Sequence, residues 1–479
     1  MVTRPMTRRR FLGGAALGAV GAVLAACGAT PTPQVVEKVV TSVVEKEVTK
    51  LVEGTPQVVK ETVVVKETVV QEVVATAAPT AKPVELRFED EAEIGPEGFK
   101  VFTDVLIPKF QQLNPGITVK FEPATGDWSQ KITAEMAAGD APDVMVAYGN
   151  AARQWMESGQ LLPLEDVFTK DELVDFYDEQ LIAFNVNNHL YEIPKYVSTI
   201  VLAYNKDAFD KAGLKYPDDS WTWDDFLMAV EKLTVKDSSG KTTQWGYRVM
   251  QNYIAHWCWQ NGGEWMNKEA MGTKILIDQP KSMEALKFNW DIQFTYKYSP
   301  MAQDMEQVGA FDTFQTGKLG LAEAHSWQVT DYIARNNFKY DYALLPQKEK
   351  RVGQIFADGY GIFKGTKDKN ASIALLKFMT GPDAEREMCT SVLGLQPSRK
   401  SVASVWDTLS QGAKAGLNVQ AFSQMAKVAR LDPYFKNNAK VREIFNPIWD
   451  SIWVTGKVGL EEGVAELVKK VNDYLATVS

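Results

Sequence analysis

Between residues 84 and 147, strand-like and helix-like segments alternate, and that order most narrowly limits the fold. Residues 84–88 read as a strand, and 99–113 as an amphipathic helix stopped by Asn114-Pro115-Gly116. A second strand follows at 117–121, a helix at 128–138 ending at Gly139, and a third strand at 143–147. Such a β-α-β-α-β order predicts a mainly parallel sheet covered by helices. Ligands of open α/β sheets bind beyond the carboxyl ends of the strands, so function is expected in those loops. Farther on, Thr222-Trp223-Asp224-Asp225 reads as a capping box opening a helix with Phe226, Val230 and Leu233 on one face. Gly381-Pro382 separates two later helices, and 460–475 is an amphipathic helix.

The chain before residue 84 has another character. Thr7-Arg8-Arg9-Arg10-Phe11-Leu12 is a basic start, followed by a Gly/Ala-rich apolar stretch ending in Leu24-Ala25-Ala26-Cys27. This is the layout of an export signal. The paired arginines resemble a twin-arginine signal, and the Leu-Ala-Ala-Cys end resembles a bacterial lipobox. The expectation is a signal peptide over 1–26 and a lipid on Cys27, tethering the protein to the extracytoplasmic face of the membrane. The apolar run is short and Gly-rich for a membrane span. Removing 1–26 takes away four arginines and no acid, so the formal charge goes from −9 to −13. An acidic chain argues against nucleic acid as a partner.

Within 27–83, the run 35–74 is built almost entirely from Val, Glu, Lys and Thr, and the whole segment has no aromatic residue. Val36, Val40, Val44, Val48 and Val52 would form a stripe on a helix. The β-branched content favours extended structure instead. The segment cannot bury enough surface to fold alone and reads as a stalk or linker; a self-associating coil is the rival reading. The body, 84–479, holds all 13 tryptophans and exceeds what one hydrophobic core usually supports, so two domains are expected.

Familiar catalytic signatures are missing. There is no H-E-x-x-H, G-x-S-x-G, P-loop or paired C-x-x-C, and His189, His256 and His325 are the only histidines. With Cys27 consumed by lipid, Cys258 and Cys389 are too few for a disulfide framework and are expected to be buried as small hydrophobes. No metal, cofactor or catalytic residue is expected.

Ala137-Ala138-Gly139-Asp140-Ala141-Pro142-Asp143-Val144 and Gly159-Gln160-Leu161-Leu162-Pro163-Leu164 are two of several segments that resemble extracellular solute-binding proteins of ABC importers, the group that includes maltose- and other sugar-binding proteins. Tyr191-Glu192-Ile193-Pro194 is followed by Leu202-Ala203-Tyr204-Asn205-Lys206-Asp207-Ala208-Phe209 and then Trp221-Thr222-Trp223-Asp224-Asp225-Phe226, the most specific run. Phe314 to Leu321 through Ser326-Trp327, and Leu393 to Arg399, extend the likeness. Gln315, Leu321 and Gln396 depart from the commoner residues. The resemblance implies an α/β, two-lobed periplasmic-binding-protein fold with an interlobe cleft. It implies an N-lobe of 84–199 plus 358–402 and a C-lobe of 200–357 plus 403–479. Crossovers near 197–202 and 358–362 are then hinge candidates, where Gly359 and Gly361 would supply unusual φ values.

Sugars present apolar faces ringed by hydroxyls, so aromatic rings and rim polar groups mark candidate ligand residues. By the resemblance, Trp327 is the stacking tryptophan. Trp257 is the candidate from the Trp257-Cys258-Trp259 segment, since 257 and 259 point to different faces of a helix. Asp127 and Trp128 stand at a helix start beyond a strand, and Tyr148 and Asn150 follow the third strand directly. Tyr196 lies by the first crossover, Asp358 and Tyr360 by the second. Glu323 and His325 are near Trp327 and could bond a hydroxyl. Core packing is the competing role for each aromatic.

The expected function is a non-enzymatic receptor that captures a solute, a mono- or oligosaccharide, and delivers it to a membrane permease coupled to an ATPase. A surface carbohydrate-active enzyme would need a poised carboxylate pair that nothing marks out. An adhesion or scaffold lipoprotein would make the stalk the working part.

Overall fold

The computed structural model describes residues 34–52, 55–73, 83–91, 95–124, 126–268, 270–304 and 313–478. The export signal and Cys27 lie outside them. Two compact units divide at Lys82/Pro83. In the first, strands β1 (Gln34–Val52) and β2 (Thr55–Val73) form an antiparallel pair, in register from Gln34 opposite Val73 to Val52 opposite Thr55. The extended preference of the β-branched residues prevails over the valine stripe.

In the second unit, β3 (Val84–Glu91) pairs in parallel with β4 (Ile117–Ala124) and with β5 (Val144–Tyr148). Helix α1 (Trp128–Ala138) has the expected bounds. Asp127 caps its start, accepting from the Gln130 amide, and Gly139 ends it at φ 75°. The helical run over 95–113 starts four residues earlier than read, and Val101–Leu106 is a π turn within it.

The full sheet departs from the mainly parallel expectation. Beyond β5 come β6 (Glu192–Asn205), β7 (Val235–Lys236), β8 (Thr242–Tyr247), β9 (Leu319–His325), β10 (Tyr340–Ala343), β11 (Gly353–Ile362) and β12 (Ala429–Leu431). The order is β4-β3-β5-β11-β6-β9-β8-β7, with β10 on β6 and β12 on β11, ten strands among the described residues. The two long strands, β6 and β11, pair antiparallel with each other, β11 with β5, and β6 with β9. Antiparallel pairing at this point comes from chain return between distant segments, which local periodicity does not encode.

β6 is buried along its whole length and changes neighbours midway. Thr199 is opposite Ile355 of β11, and Ile200 is opposite His325 of β9. Its side chains divide likewise. Ile193 and Tyr196 join a core with Leu86, Phe88 and Leu375; Ile200 to Tyr204 join another with Phe226, Trp257 and Trp453. Leu431 and Tyr434 belong to the first of these cores although they follow residue 402. The β11–β6 register slips between Asp358 and Gly359. Neither Gly359 nor Gly361 takes a left-handed φ. Gly359 is required by space: a Cβ would stand 2.7 Å from Phe184 Cζ and 2.9 Å from the Ile193 carbonyl. Cys258 and Cys389 are free and buried.

Candidate functional site

Beside the two long strands lies a cavity of about 720 Å³. β11 presents Phe356 and Asp358 to it, two residues apart and so on one face. β6 presents Tyr196 and Ser198 by the same alternation. Tyr148 arrives at the carboxyl end of β5, opposite Asp358 in register. His325 ends β9, and Trp327 sits in the helical turn after it.

Tyr253 stands edge-on to both His325 (4.8 Å between ring centres) and Phe356 (5.2 Å), while Trp327 lies 5.7 Å from His325. These four rings form one aromatic wall. Burial pushes the His325 imidazole down to about 4, and Ser198 Oγ lies 3.3 Å from its Nδ1. The ring is therefore neutral near pH 7. At the rim, Arg335 pairs with Asp331 at 2.7 Å, and Glu97 stands on the 95–113 helical run.

Five of the expected residues thus meet at this cavity: Tyr148, Tyr196, His325, Trp327 and Asp358. Trp128 is one layer behind, its ring 4.9 Å from Tyr148 and its Nε1 donating to the Tyr148 hydroxyl at 3.1 Å. Asp127 is an exposed helix cap. Asn150 lies in the first turn of helix α2 (Gly149–Glu157), and its side chain is outside the described residues.

Three expectations are corrected. Trp257 is 1% exposed, packed against Trp223, Phe226 and Phe288; the helix Ala255–Gln260 is buried on every side. Glu323 faces that core, accepting from Tyr247 Oη at 2.5 Å and Trp257 Nε1 at 3.0 Å. Tyr360 is fully buried, donating its hydroxyl to Asp90, which also pairs with buried Lys195. Trp257 Nε1, Glu323 Oε1 and the Tyr360 hydroxyl are each spent on a core partner, and burial withdraws all three side chains from a ligand.

Sequence reasoning missed Tyr253, Ser198 and Phe356. Counting back by two along the strand from Asp358 reaches Phe356 and then Gln354, a signal that was present. Gln354 opens onto a second cavity of about 310 Å³. Helix α3 (Asn438–Trp453) turns Arg442, Phe445, Asn446 and Trp449 toward it, the i, i+3, i+4, i+7 stripe of one helix face. Asp432 stands opposite, its carboxyl raised to about 6 by burial. Among the described residues, no group of three or more His, Cys, Asp and Glu is placed to hold a metal, and no helix is long and apolar enough to cross a membrane.

Comparison with known proteins fits this architecture. The sn-glycerol-3-phosphate-binding periplasmic protein of Shigella dysenteriae is 27% identical over 424 residues, covering 80% of this chain and 90% of its own. An ABC substrate-binding protein of Listeria monocytogenes, solved in complex with cycloalternan, superposes with a TM-score of 0.71 at 23% identity, covering 83% of this chain and all of its own. The cyclic alpha-maltosyl-1,6-maltose binding protein of Arthrobacter globiformis gives 0.70 at 18% identity, covering 82% and 100%. The body has the two-lobed periplasmic-binding-protein fold that these structures share. The family model for bacterial extracellular solute-binding proteins matches residues 95–386, more than half of the sequence, and the chain belongs to that family.

Proposed function

We propose that this protein is the substrate receptor of an ABC importer and that its solute is a carbohydrate. The observation that carries the reading is the group of aromatic rings, Trp327, His325, Tyr253 and Phe356, that lines the 720 Å³ cavity together with Tyr148, Tyr196 and Asp358. Flat rings suit the C–H faces of a pyranose, and Asp358 with the tyrosine hydroxyls suits its rim. That the similar structures include one solved with cycloalternan and one of a cyclic alpha-maltosyl-1,6-maltose binding protein supports the same reading. We take the lobes as 84–199 plus 358–402 and 200–357 plus 403–479, with Leu431 and Tyr434 crossing back into the core of the first, and the two closing about β6 and β11 on the ligand. Closure then forms the surface read by a permease with its ATPase, and the protein does no chemistry on its cargo.

The chain is held at the extracytoplasmic face of the membrane by lipid on Cys27 after removal of 1–26, with 27–83 as spacer. Cys27→Ala is expected to release the protein from the membrane fraction, and retention of that variant would remove the lipid anchor from the account. For the solute, thermal shift of the mature chain against sugars, polyols, amino acids and glycerol 3-phosphate is the test. A ligand at ~100 times its Kd adds about 2.7 kcal/mol. A shift with sugars supports the reading, and a shift with amino acids alone ends the carbohydrate assignment.

A further inference from the structure

The first compact unit presents two open edges. Among the described residues, β1 and β2 form a ladder only with each other. Each strand is 19 residues long, so each carries a long outer row of N–H and C=O groups with no ladder partner there. An isolated two-stranded hairpin is marginally stable in water, and an open edge is a template for a further strand.

The order of charges along the two strands selects which strand fits. Backbone groups point alternately to the two sides of a strand, so an antiparallel edge can be matched only in alternate registers. Against its own copy, β1 must match positions of equal parity. With all its residues matched, no charge meets its opposite. Slid by two one way, Glu37 meets Glu47 and Lys38 meets Lys46; slid the other way, Lys38 meets Lys50. β2 fully matched against its own copy sets Glu61 against Glu67. Parallel pairing of like strands in register sets every charge against itself.

β1 against β2 of another copy behaves differently. Residues of β1 that point outward are matched, within the hairpin, with residues of β2 that also point outward. The hairpin's own register is therefore available a second time on the outer side. In it Lys46 stands opposite Glu61 and Glu47 opposite Lys60. Val43, Val44 and Val48 stand opposite Val64, Val63 and Val59, and no two like charges are matched at any position. Opposite-charge and β-branched positions placed in this way are the cross-strand pairs that stabilise a sheet.

We propose that the 34–73 ribbon is an assembly surface whose partner is a second copy of this chain, the outer edge of β1 pairing antiparallel with the outer edge of β2 of the next copy in the register of the hairpin. A contact of this kind is head-to-tail and leaves a free edge at each end, so copies add in a row. Tethering to one membrane by the lipid proposed above raises the local concentration of copies for this pairing. The solute site takes no part in it.

Sedimentation velocity on the mature chain tests the proposal, with Cys27→Ser to exclude a disulfide through that thiol. The expected result is an average mass that climbs with protein concentration past the dimer, to about threefold the monomer or more, as an open head-to-tail contact requires. The same chain without residues 28–82 should stay monomeric. The register is read by mixing a Ser42→Cys chain with a Val65→Cys chain, since these positions are opposite in the hairpin. Under oxidation the two should cross-link to each other, and neither to itself. A monomer at every concentration, a dimer that grows no further, or association that survives the deletion overturns the proposal. So does a Ser42→Cys chain that cross-links to itself. A helical far-ultraviolet difference spectrum between the mature and deleted chains would replace the ribbon by a coil and overturn it too. Each of these outcomes leaves the solute-binding reading standing.

Discussion

His325 has a neutral ring because burial holds it near 4, against 6.5 when exposed. Between those values the unfolded chain binds a proton that the folded chain does not. Stability attributable to this residue is therefore intact above pH 6.5 and falls as the pH drops toward 4. Denaturant titrations from pH 7 to 4 should show that decline, and it should shrink in His325→Gln. Glu323 looks like a neighbour of the same site in sequence but acts in the core. Glu323→Ala leaves Tyr247 Oη and Trp257 Nε1 without their acceptor and should cost about 3 kcal/mol of stability. The ranking of ligands by affinity should not change. A changed ranking in a well-folded Glu323→Ala protein would restore it to the binding surface.

At the scale of elements, the glycine-bearing stretch of β11 is a packing device. Gly359→Ala pushes a methyl against the Phe184 ring and the Ile193 carbonyl, and overpacking of this kind costs about 1–3 kcal/mol. Circular-dichroism melting should read it as a lowered Tm with unchanged secondary structure. Helix 382–390 carries a second pH-sensitive group. Glu385 accepts from Ser398 Oγ and the Arg399 amide, yet burial raises its carboxyl to about 8. From pH 4.5 to 8 the folded chain holds a proton that the unfolded chain has released, so stability falls as pH rises through that window. Glu385→Gln should flatten this slope, and an unchanged slope would assign it to other groups.

These elements also mark where the sequence was legible. Trp128–Ala138 was readable to the residue because both its ends are written locally, by Asp127 and Gly139. The parallel set β3, β4, β5 followed from short-range alternation. The antiparallel crossovers did not, because β11 meets β5 across more than 200 residues and no local pattern records the pairing. Trp257 and Tyr360 misled for a related reason. A tryptophan near a Gly-Gly turn and a tyrosine between glycines carry no mark of whether their polar atom already has a core partner. Glu323 and Asp90 supply those partners from 66 and 270 residues away. Tyr253 carries no motif of its own and stands four residues before the more conspicuous Trp257.

For the whole molecule, the two cores, the strands that run from one to the other and the aromatic cavity beside them are the parts of the proposed receptor, whose specificity we assign to the cleft. Its central claim is that a sugar stacks on Trp327. Calorimetric titration of wild type and Trp327→Ala with the sugar that gives the largest thermal shift tests it most directly. The account predicts a loss of about 2 kcal/mol, roughly 30-fold in Kd, with the fold intact by circular dichroism. Equal affinity in the two proteins would contradict it and move the ligand away from the aromatic wall.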